Sequence, residues 1–93
     1  MIFETMEGLE DLLRIDRIED YPQLENILMP LAEAEVIKAV GEAWVSANAT
    51  DKHVRGAASA MVAVWFEKPE MLGEITPGIN SMLTKLQARA LEE

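Results

Sequence analysis

The sequence predicts an all-α protein, a small orthogonal bundle of four main helices with a short extra turn as a candidate fifth. Apolar residues recur every three or four positions along most of the chain, which is the spacing that places side chains on one face of a helix. No segment of four to eight residues alternates apolar and polar side chains between hairpin turns, so no strand is predicted. The 93 residues fit a single domain covering residues 1–93.

A short first helix is expected over about residues 6–14, where Thr5 can act as the N-cap. Its inner side carries three leucines: Leu9, Leu12 and Leu13. Gly8 weakens this helix, so its stability depends on packing against the rest of the fold. Residues 15–20 are rich in short acidic side chains that bond readily to nearby backbone, which predicts a turn closing on Asp20 as a helix cap.

The second helix is expected from about residue 21 to Ala43 or Trp44, with Pro22 tolerated in its first turn. Pro30 lies inside this span and lacks the backbone N–H that a helix interior requires, so a kink or a break is expected there. The apolar positions of this helix fall on one face: Leu24, Ile27, Leu28, Leu31, Ala34, Ile37, Val40 and Trp44.

The third helix is expected over about residues 52–67, after a small polar loop in which Thr50 or Asp51 can serve as the cap. From Val54 to Phe66 the only charged residue is Arg55, so this helix requires apolar neighbours on nearly every side. It is the longest strongly apolar run, and its thirteen residues are too few for a membrane span of about 20. Its strongest face is formed by Val54, Ala57, Ala58, Met61, Val62 and Trp65.

The last helix is expected to begin at Pro77, with Thr76 as its cap, and to run to about Leu91. Before it, Pro69 ends the third helix or begins a short turn that Gly73 stops. The inner face of the last helix comprises Ile79, Met82, Leu83, Leu86 and Ala90.

Charge is distributed unevenly along the chain. The net charge is −9, and residues 1–42 carry eleven acidic groups against three basic ones, so this segment alone has a charge of −8. Without clustered Lys and Arg, direct binding of nucleic acid phosphates is not expected. The acidic surface could repel DNA, meet a basic partner, or keep the protein soluble. The absence of cysteine is compatible with a reducing cytosol, and no signal peptide is recognised at the N-terminus.

No pattern typical of catalysis or of a cofactor site was found. His53 has no nucleophile or carboxylate partner at a fixed spacing, which favours a solvated residue at a helix terminus. Asp16, Glu19 and Asp20 are close in sequence, but the spacing and central glycine of a calcium loop are missing, so a solvated turn is favoured over a metal site. The sequence therefore predicts no enzyme, and no catalytic, cofactor-binding or metal-binding residue.

Two adjacent aromatic residues end the third helix. Trp65 is interpreted as a core residue, and Phe66 follows about 100° further around the helix, so both cannot face one core. One of the two is therefore a candidate for an interface between subunits. Both can belong to the core only if the turn at residues 69–72 folds over them.

Several motifs, taken in order, resemble those of the head-tail connector family of long-tailed bacteriophages, also called DNA-packaging adaptor or head-completion proteins. The similarity covers about residues 5–86. The motifs are Leu13-Arg14-Ile15-Asp16, Asp20, Val40-Gly41 at a helix end, Trp65-Phe66-Glu67-Lys68-Pro69-Glu70, and Ile75-Thr76-Pro77-Gly78-Ile79 before Met82-Leu83.

This resemblance implies a structural virion protein that forms a dodecameric ring under the portal, extends the DNA channel, and docks the next connector or tail component. It implies no catalytic activity and no cofactor. DNA would pass without specific binding, no membrane would be involved, and the protein would reside at the head-tail interface after assembly in the host cytoplasm. Glu33 and Glu35 are candidates for lumen charge. Candidates for the subunit or portal interface are Arg14, Asp16, Trp65, Phe66, Ile79, Met82 and Leu86.

Oligomerisation also has support from the residues themselves. A domain of this size buries about 60 to 65% of its unfolded surface and is marginal alone, and the apolar third helix adds surface that needs covering. The alternative from another class is an acidic inhibitor, such as an immunity protein or a DNA mimic that binds a basic enzyme. That reading predicts a stable monomer whose binding depends steeply on salt concentration.

Overall fold

The computed structural model describes residues 2–4 and 6–92. Within these residues the chain forms five α-helices and no strand, which confirms the all-α prediction. The expected cap at Thr5 lies outside the described residues. The helices are α1 (Leu9–Leu13), α2 (Met29–Val40), α3 (Glu42–Ala47), α4 (Lys52–Glu67) and α5 (Pro77–Glu92). Short 3₁₀ turns cover Ile18–Asp20 and Pro69–Met71, and a π-helical turn covers Leu24–Leu28.

Helix α4 is the centre of the fold, and α1, α2 and α5 all pack against it. The six residues predicted to form its strongest face are all buried, and Ser59 is buried with them. Ala57 and Ala58 are among the buried residues, with exposed fractions of 1% and 0%. The predicted buried face of this helix is confirmed, whereas the expectation of neighbours on nearly every side is met only in part, because Gly56 is exposed.

The starts of α4 and α5 follow the predicted capping chemistry. The carboxylate of Asp51 accepts hydrogen bonds from the backbone N–H groups of His53 at 2.8 Å and Val54 at 3.4 Å. The hydroxyl of Thr76 accepts from the N–H of Ile79 at 3.3 Å, and Pro77 is the first residue of α5. Each side chain satisfies N–H groups that have no partner inside the helix.

Pro30 does not split the second helix, so the expected alternative of a break at that residue is wrong. The chain is helical from residue 22 to residue 40. The π turn lies just before the proline, and within it the N–H of Met29 donates to the carbonyl of Leu24. A π turn holds one more residue than an α turn, and the wider turn carries the chain past the missing donor of Pro30 while preserving the helical course.

The break falls instead at Gly41, so the prediction of one helix to Ala43 or Trp44 is wrong. Gly41 has φ 94° and ψ 144°, a combination that only glycine adopts readily. Its N–H still donates to the carbonyl of Ile37 at 2.7 Å, which closes α2 before the chain turns into α3. The mean spacing of apolar residues continues across this point, and for that reason it did not reveal the break.

Substitution of Gly41 tests whether its backbone conformation is required. We expect Gly41→Ala to lower the free energy of unfolding by about 1–3 kcal/mol, the usual cost of a strained backbone region. A Cβ at this position would meet no atom within 4 Å, so the loss would come from φ alone. Urea unfolding followed by circular dichroism measures it.

Gly56→Ala is the matched control for that measurement. Gly56 lies inside α4 and also has open space around its Cβ position, so alanine should raise stability by about 0.5–1 kcal/mol. If the two substitutions changed stability in the same direction, the strain at Gly41 would be excluded.

The buried face of the second helix differs from the predicted one. Leu24, Leu28, Ala32 and Val36 are buried, whereas Ile27 is 49% exposed. Ala34, predicted to face inward, is exposed, and Leu31, Ile37, Val40 and Trp44 are only half-buried. The extra residue of the π turn rotates all later positions by about 100° relative to a continuous α-helix. The buried positions after the turn are therefore shifted along the chain.

Some predicted positions in the other helices and turns are also wrong. Helix α1 is shorter than expected, with Gly8 at its N-cap in the left-handed region at φ 87°. Leu12 is 52% exposed, because only Leu9 and Leu13, four residues apart, face the core of this five-residue helix. Asp20 does not cap the next helix; it ends a 3₁₀ turn, and Tyr21 follows. In α5, Met82 is 41% exposed although it was predicted to face inward.

Candidate docking surfaces

A groove of about 440 Å³ lies between the first half of α4 and the second half of α5. We call it the basic groove, because three of the eight Lys and Arg residues of the chain and its single histidine line it. Its lining residues are Lys52, His53, Gly56, Ala57, Met82, Lys85, Leu86 and Arg89. In a chain with a net charge of −9, this groove is a local concentration of positive charge.

The floor of the basic groove is apolar. Gly56 has no side chain and Ala57 has a methyl group, so α4 leaves open space that α5 does not fill. Leu86 is buried beneath this space, while Met82 is 41% exposed at its side. An apolar floor with a charged rim suits a ligand or segment that carries both an apolar side chain and carboxylates.

One end of the basic groove is fixed by an ion pair between α5 and the cap of α4. The guanidinium of Arg89 donates to both carboxylate oxygens of Asp51, at 3.1 Å and 2.9 Å. The same guanidinium lies 5.4 Å from the ring centroid of Trp44 in α3, within the range of a cation–π interaction. Helices α3 and α5 and the start of α4 thus meet at one side chain.

This contact changes the acidity of Asp51. The pKa of the Asp51 carboxyl is lowered from 3.8 to about 2. The hydrogen bond from Arg89 is the largest cause, the backbone N–H groups of His53 and Val54 add to it, and partial burial acts in the opposite direction. Charge-assisted, bidentate hydrogen bonds favour the ionised form. Asp51 therefore remains charged at any physiological pH.

A second groove, of about 230 Å³, lies near the other end of α4. We call it the apolar groove, and its lining residues are Gln23, Ile27, Leu28, Trp65, Phe66, Pro69 and Leu72. Ile27 and Leu72 are 49% and 45% exposed at this groove. Exposed side chains of this size that share one groove are typical of a contact surface.

The aromatic pair at the end of α4 is divided between core and surface. Trp65 is 1% exposed, and its indole N–H donates to the carbonyl of Glu74 at 3.0 Å, so the chain after α4 folds over it. Phe66 is half-buried and meets the ring of Tyr21 edge to face, with centroids 5.3 Å apart. Phe66 is therefore the member of the pair that a partner could reach.

The two grooves are well separated. On α4 the nearest lining residues are Ala57 of the basic groove and Trp65 of the apolar groove, and at about 1.5 Å per residue this eight-residue interval is about 12 Å. One subunit therefore presents two surfaces of different chemistry at opposite ends of its central helix.

The structure narrows the set of residues that the sequence offered for an interface. Arg14, Asp16 and Met82 are exposed, and Phe66 is half-buried. The other three lie in the core of the single chain, with exposed fractions of 3% or less: Trp65, Ile79 and Leu86. Arg14 follows directly after α1, and its backbone lies in the left-handed region, with φ 60°.

The two candidates for lumen charge have different surroundings. A carboxylate oxygen of Glu33 accepts from the backbone N–H of Ile2 at 3.0 Å, and Ile2 is fully buried. Glu33 therefore helps to hold the N-terminal segment on the core. Glu35 is half-buried and lines a shallow hollow with Lys38 and Gln87.

Sequence reasoning did not find the basic groove. The sequence indicated only the apolar inner face of the last helix and the acidic charge of residues 1–42. Met82, Lys85 and Arg89 are spaced by three and four residues, so they share a helix face. That spacing was a usable signal, but the matching half of the groove comes from α4 and depends on tertiary packing.

The described residues contain no cluster of three or more His, Cys, Asp or Glu side chains arranged to hold a metal ion. In the same part of the chain, none of the helices combines the length and the apolar character needed to cross a membrane.

No protein-family model matches the chain, and neither a curated protein nor a solved structure matches it.

Proposed function

We propose that the chain is a head-tail connector of a long-tailed bacteriophage, a small orthogonal helical bundle that assembles into a dodecameric ring under the portal. The ring would extend the DNA channel and dock the next connector or tail component. The subunit would act as a structural protein, without catalysis and without a cofactor. The motif order that resembles the connector family supports this function.

The observation that carries the proposal is the presence of two different grooves at opposite ends of α4. A closed ring needs a head-to-tail contact, in which one surface of a subunit meets a different surface of the next. The basic groove offers one surface for this contact, and the apolar groove offers a separate surface for the next connector or tail component. Both include large side chains that are exposed in the single chain: Met82 in the first, and Ile27 and Leu72 in the second.

The charge distribution is consistent with a DNA conduit. Outside residues 7–20, the segment 1–42 carries five further acidic residues, of which Glu4, Glu25 and Glu42 are exposed and Glu33 and Glu35 are half-buried. A channel wall of the same sign as DNA keeps a passing duplex from adhering. An acidic lumen would therefore favour transit over binding.

Assembly with a portal protein tests the proposal. The chain should sediment as a concentration-dependent oligomer, and in the presence of the portal protein from the same genome it should give ring-shaped particles by electron microscopy. A location of its gene beside portal and capsid genes would add support. If only monomer were found at high concentration with the portal present, the proposed ring would be wrong.

Charge reversal at Glu35 tests the assignment of lumen charge. We expect Glu35→Lys to leave the helix content by circular dichroism unchanged and to reduce the yield of infectious phage, because a positive side chain would retain DNA in the channel. An unchanged phage yield would contradict the lumen assignment. Glu33→Lys is the comparison, and it should in addition lower stability, since it removes the acceptor for Ile2.

The exposed acidic surface also favours a second candidate, an acidic inhibitor that occupies the basic site of an enzyme. Such an inhibitor would remain monomeric and would bind a basic nuclease with an affinity that falls steeply as the salt concentration rises. Sedimentation without any partner separates the two functions, since only the connector should self-associate.

A further inference from the structure

We propose that the basic groove receives the acidic segment at residues 7–20 of a neighbouring copy of this chain, forming the head-to-tail contact of the assembly. This inference rests on the proposed ring and names the two surfaces that would build it. The groove is lined only by residues of α4 and α5, so the acidic segment is not part of its own groove wall.

The charges of the two surfaces are complementary. Lys52 and Lys85 are exposed on the groove, and within residues 2–4 and 6–92 neither has an ion-pair partner. The acidic segment contains six acidic and two basic residues. Asp11 and Asp16 are exposed there, also without an ion pair in the described part of the chain. A second copy thus supplies the carboxylates that two lysines lack.

The apolar parts also match. Leu12 lies between these carboxylates and is 52% exposed, and among residues 2–4 and 6–92 only Leu91 is a more exposed large apolar residue. The groove offers an apolar floor at Gly56, Ala57 and Leu86. Burial of an exposed leucine in such a space, with charged pairs at the rim, follows the usual anatomy of an interface.

The acidic segment is favoured over the rest of residues 1–42 by its density of charge. The remaining acidic residues there, Glu4, Glu25, Glu33, Glu35 and Glu42, are spread from the turn at residue 4 to the start of α3. Glu33 is engaged with the N-terminal backbone, and Glu35 lies beside Lys38 in a separate hollow. Within residues 1–42, only the stretch 7–20 combines several exposed carboxylates with an exposed apolar side chain between them.

Two variants, each altering one surface, test this contact by sedimentation equilibrium. The groove variant is Lys52→Glu with Lys85→Glu, and the segment variant is Asp11→Asn with Asp16→Asn. Each should weaken self-association about tenfold or more relative to the unchanged chain. The control, Lys38→Glu with Lys68→Glu, makes the same change in net charge as the groove variant but lies outside the groove. Its association constant should stay within about threefold of that of the unchanged chain.

Mixing the two variants distinguishes a head-to-tail contact from a general effect of charge. Each variant keeps one intact surface, so an equimolar mixture should form a one-to-one dimer and stop there, whereas the unchanged chain should grow beyond a dimer. Raising the salt concentration should weaken both associations. Circular dichroism checks that each variant is folded, and Lys52→Gln with Lys85→Gln replaces the groove variant if it is not.

Other outcomes would overturn the inference. If the groove variant associated as the unchanged chain does, or if the mixture gave no dimer, the acidic segment would not occupy the groove, while rings on the portal would still support the proposed function. If the groove variant lost only binding to a DNA oligonucleotide, the groove would be an anion site. If no ring formed on the portal with any variant or with the unchanged chain, the proposed function itself would fail.

Discussion

Trp65→Ala should lower the free energy of unfolding by about 3–5 kcal/mol, the range for loss of a large aromatic side chain from a packed core. Trp65 is 1% exposed and is the largest of the fully buried side chains. The loss is a large part of the about 5–15 kcal/mol that stabilises a typical domain, so the variant should be partly unfolded at 37 °C. Urea unfolding by circular dichroism provides the measurement, since it does not depend on tryptophan.

Trp65→Phe separates the two contributions of this residue. Phenylalanine retains much of the apolar volume but removes the indole N–H that donates to the carbonyl of Glu74. We expect a loss of about 1–3 kcal/mol, from the unpaired carbonyl and the smaller ring together. If alanine and phenylalanine cost the same, the hydrogen bond would dominate; if alanine cost less than about 1 kcal/mol, Trp65 would not be a core residue.

Asp51→Ala should have the second largest effect, about 2–3 kcal/mol, because it removes both a helix cap and an ion pair. Asp51→Asn isolates the charge, since asparagine caps a helix about as well as aspartate. We expect this variant to lose about 1–2 kcal/mol. The lowering of the pKa from 3.8 to about 2 corresponds to a free energy slightly above that range. Because the Asp51 side chain is 24% exposed, screening by solvent reduces this contribution to stability.

The charge of Asp51 also gives a pH dependence with a defined sign. The pKa is about 2 in the folded chain and 3.8 without these contacts, so folding favours the ionised carboxylate. The stabilisation is complete above a pH of about 4 and is lost as the pH falls through about 2. The difference in unfolding free energy between the unchanged chain and Asp51→Asn should therefore shrink from pH 7 to pH 2.

The same comparison with Arg89→Gln forms a double-mutant cycle. If the two single losses and the double loss were simply additive, the pair would contribute nothing beyond the cap. If the difference in unfolding free energy between the unchanged chain and Asp51→Asn did not change with pH, the proposed role of the carboxylate charge would also be contradicted. Lys85→Gln, also on α5 but without an ion pair in the described residues, controls for loss of a surface charge.

Local rules were sufficient where local chemistry decides the outcome. The face of α4 and the caps at Asp51 and Thr76 follow from side-chain spacing and from the hydrogen bonds that helix starts require. These positions agree between sequence and structure because propensity, pattern and capping all favour the same result. The turn at residues 69–71 and its end at Gly73 are further cases.

The second helix could not be predicted in the same way. A π turn and the proline after it change the rotation of a helix without changing its composition, so periodicity alone placed the wrong face inward. Apolar periodicity extended the predicted helix past Gly41, whereas the Val40-Gly41 motif of the family resemblance marked a helix end there. The backbone angles of Gly41, φ 94° and ψ 144°, show that it separates two helices.

The candidate surfaces were predictable only in part. Phe66 and Met82 were proposed for an interface and are accessible, while Trp65, Ile79 and Leu86 are in the core. Helical spacing identifies which residues share a face but not which face remains uncovered after the helices pack. The basic groove lies between the first half of α4 and the second half of α5, whose lining residues are about 30 positions apart in sequence. No local sequence pattern therefore contains it.

The two tryptophans lie in such different surroundings that they give the chain two intrinsic optical probes. Trp65 is sealed in the core, whereas Trp44 is half-buried beneath the Arg89 guanidinium. A soluble quencher such as acrylamide should reach Trp44 well before Trp65. The fluorescence of a Trp65→Phe chain therefore reports on the meeting point of α3, α4 and α5 alone, and it can follow that region without an attached dye.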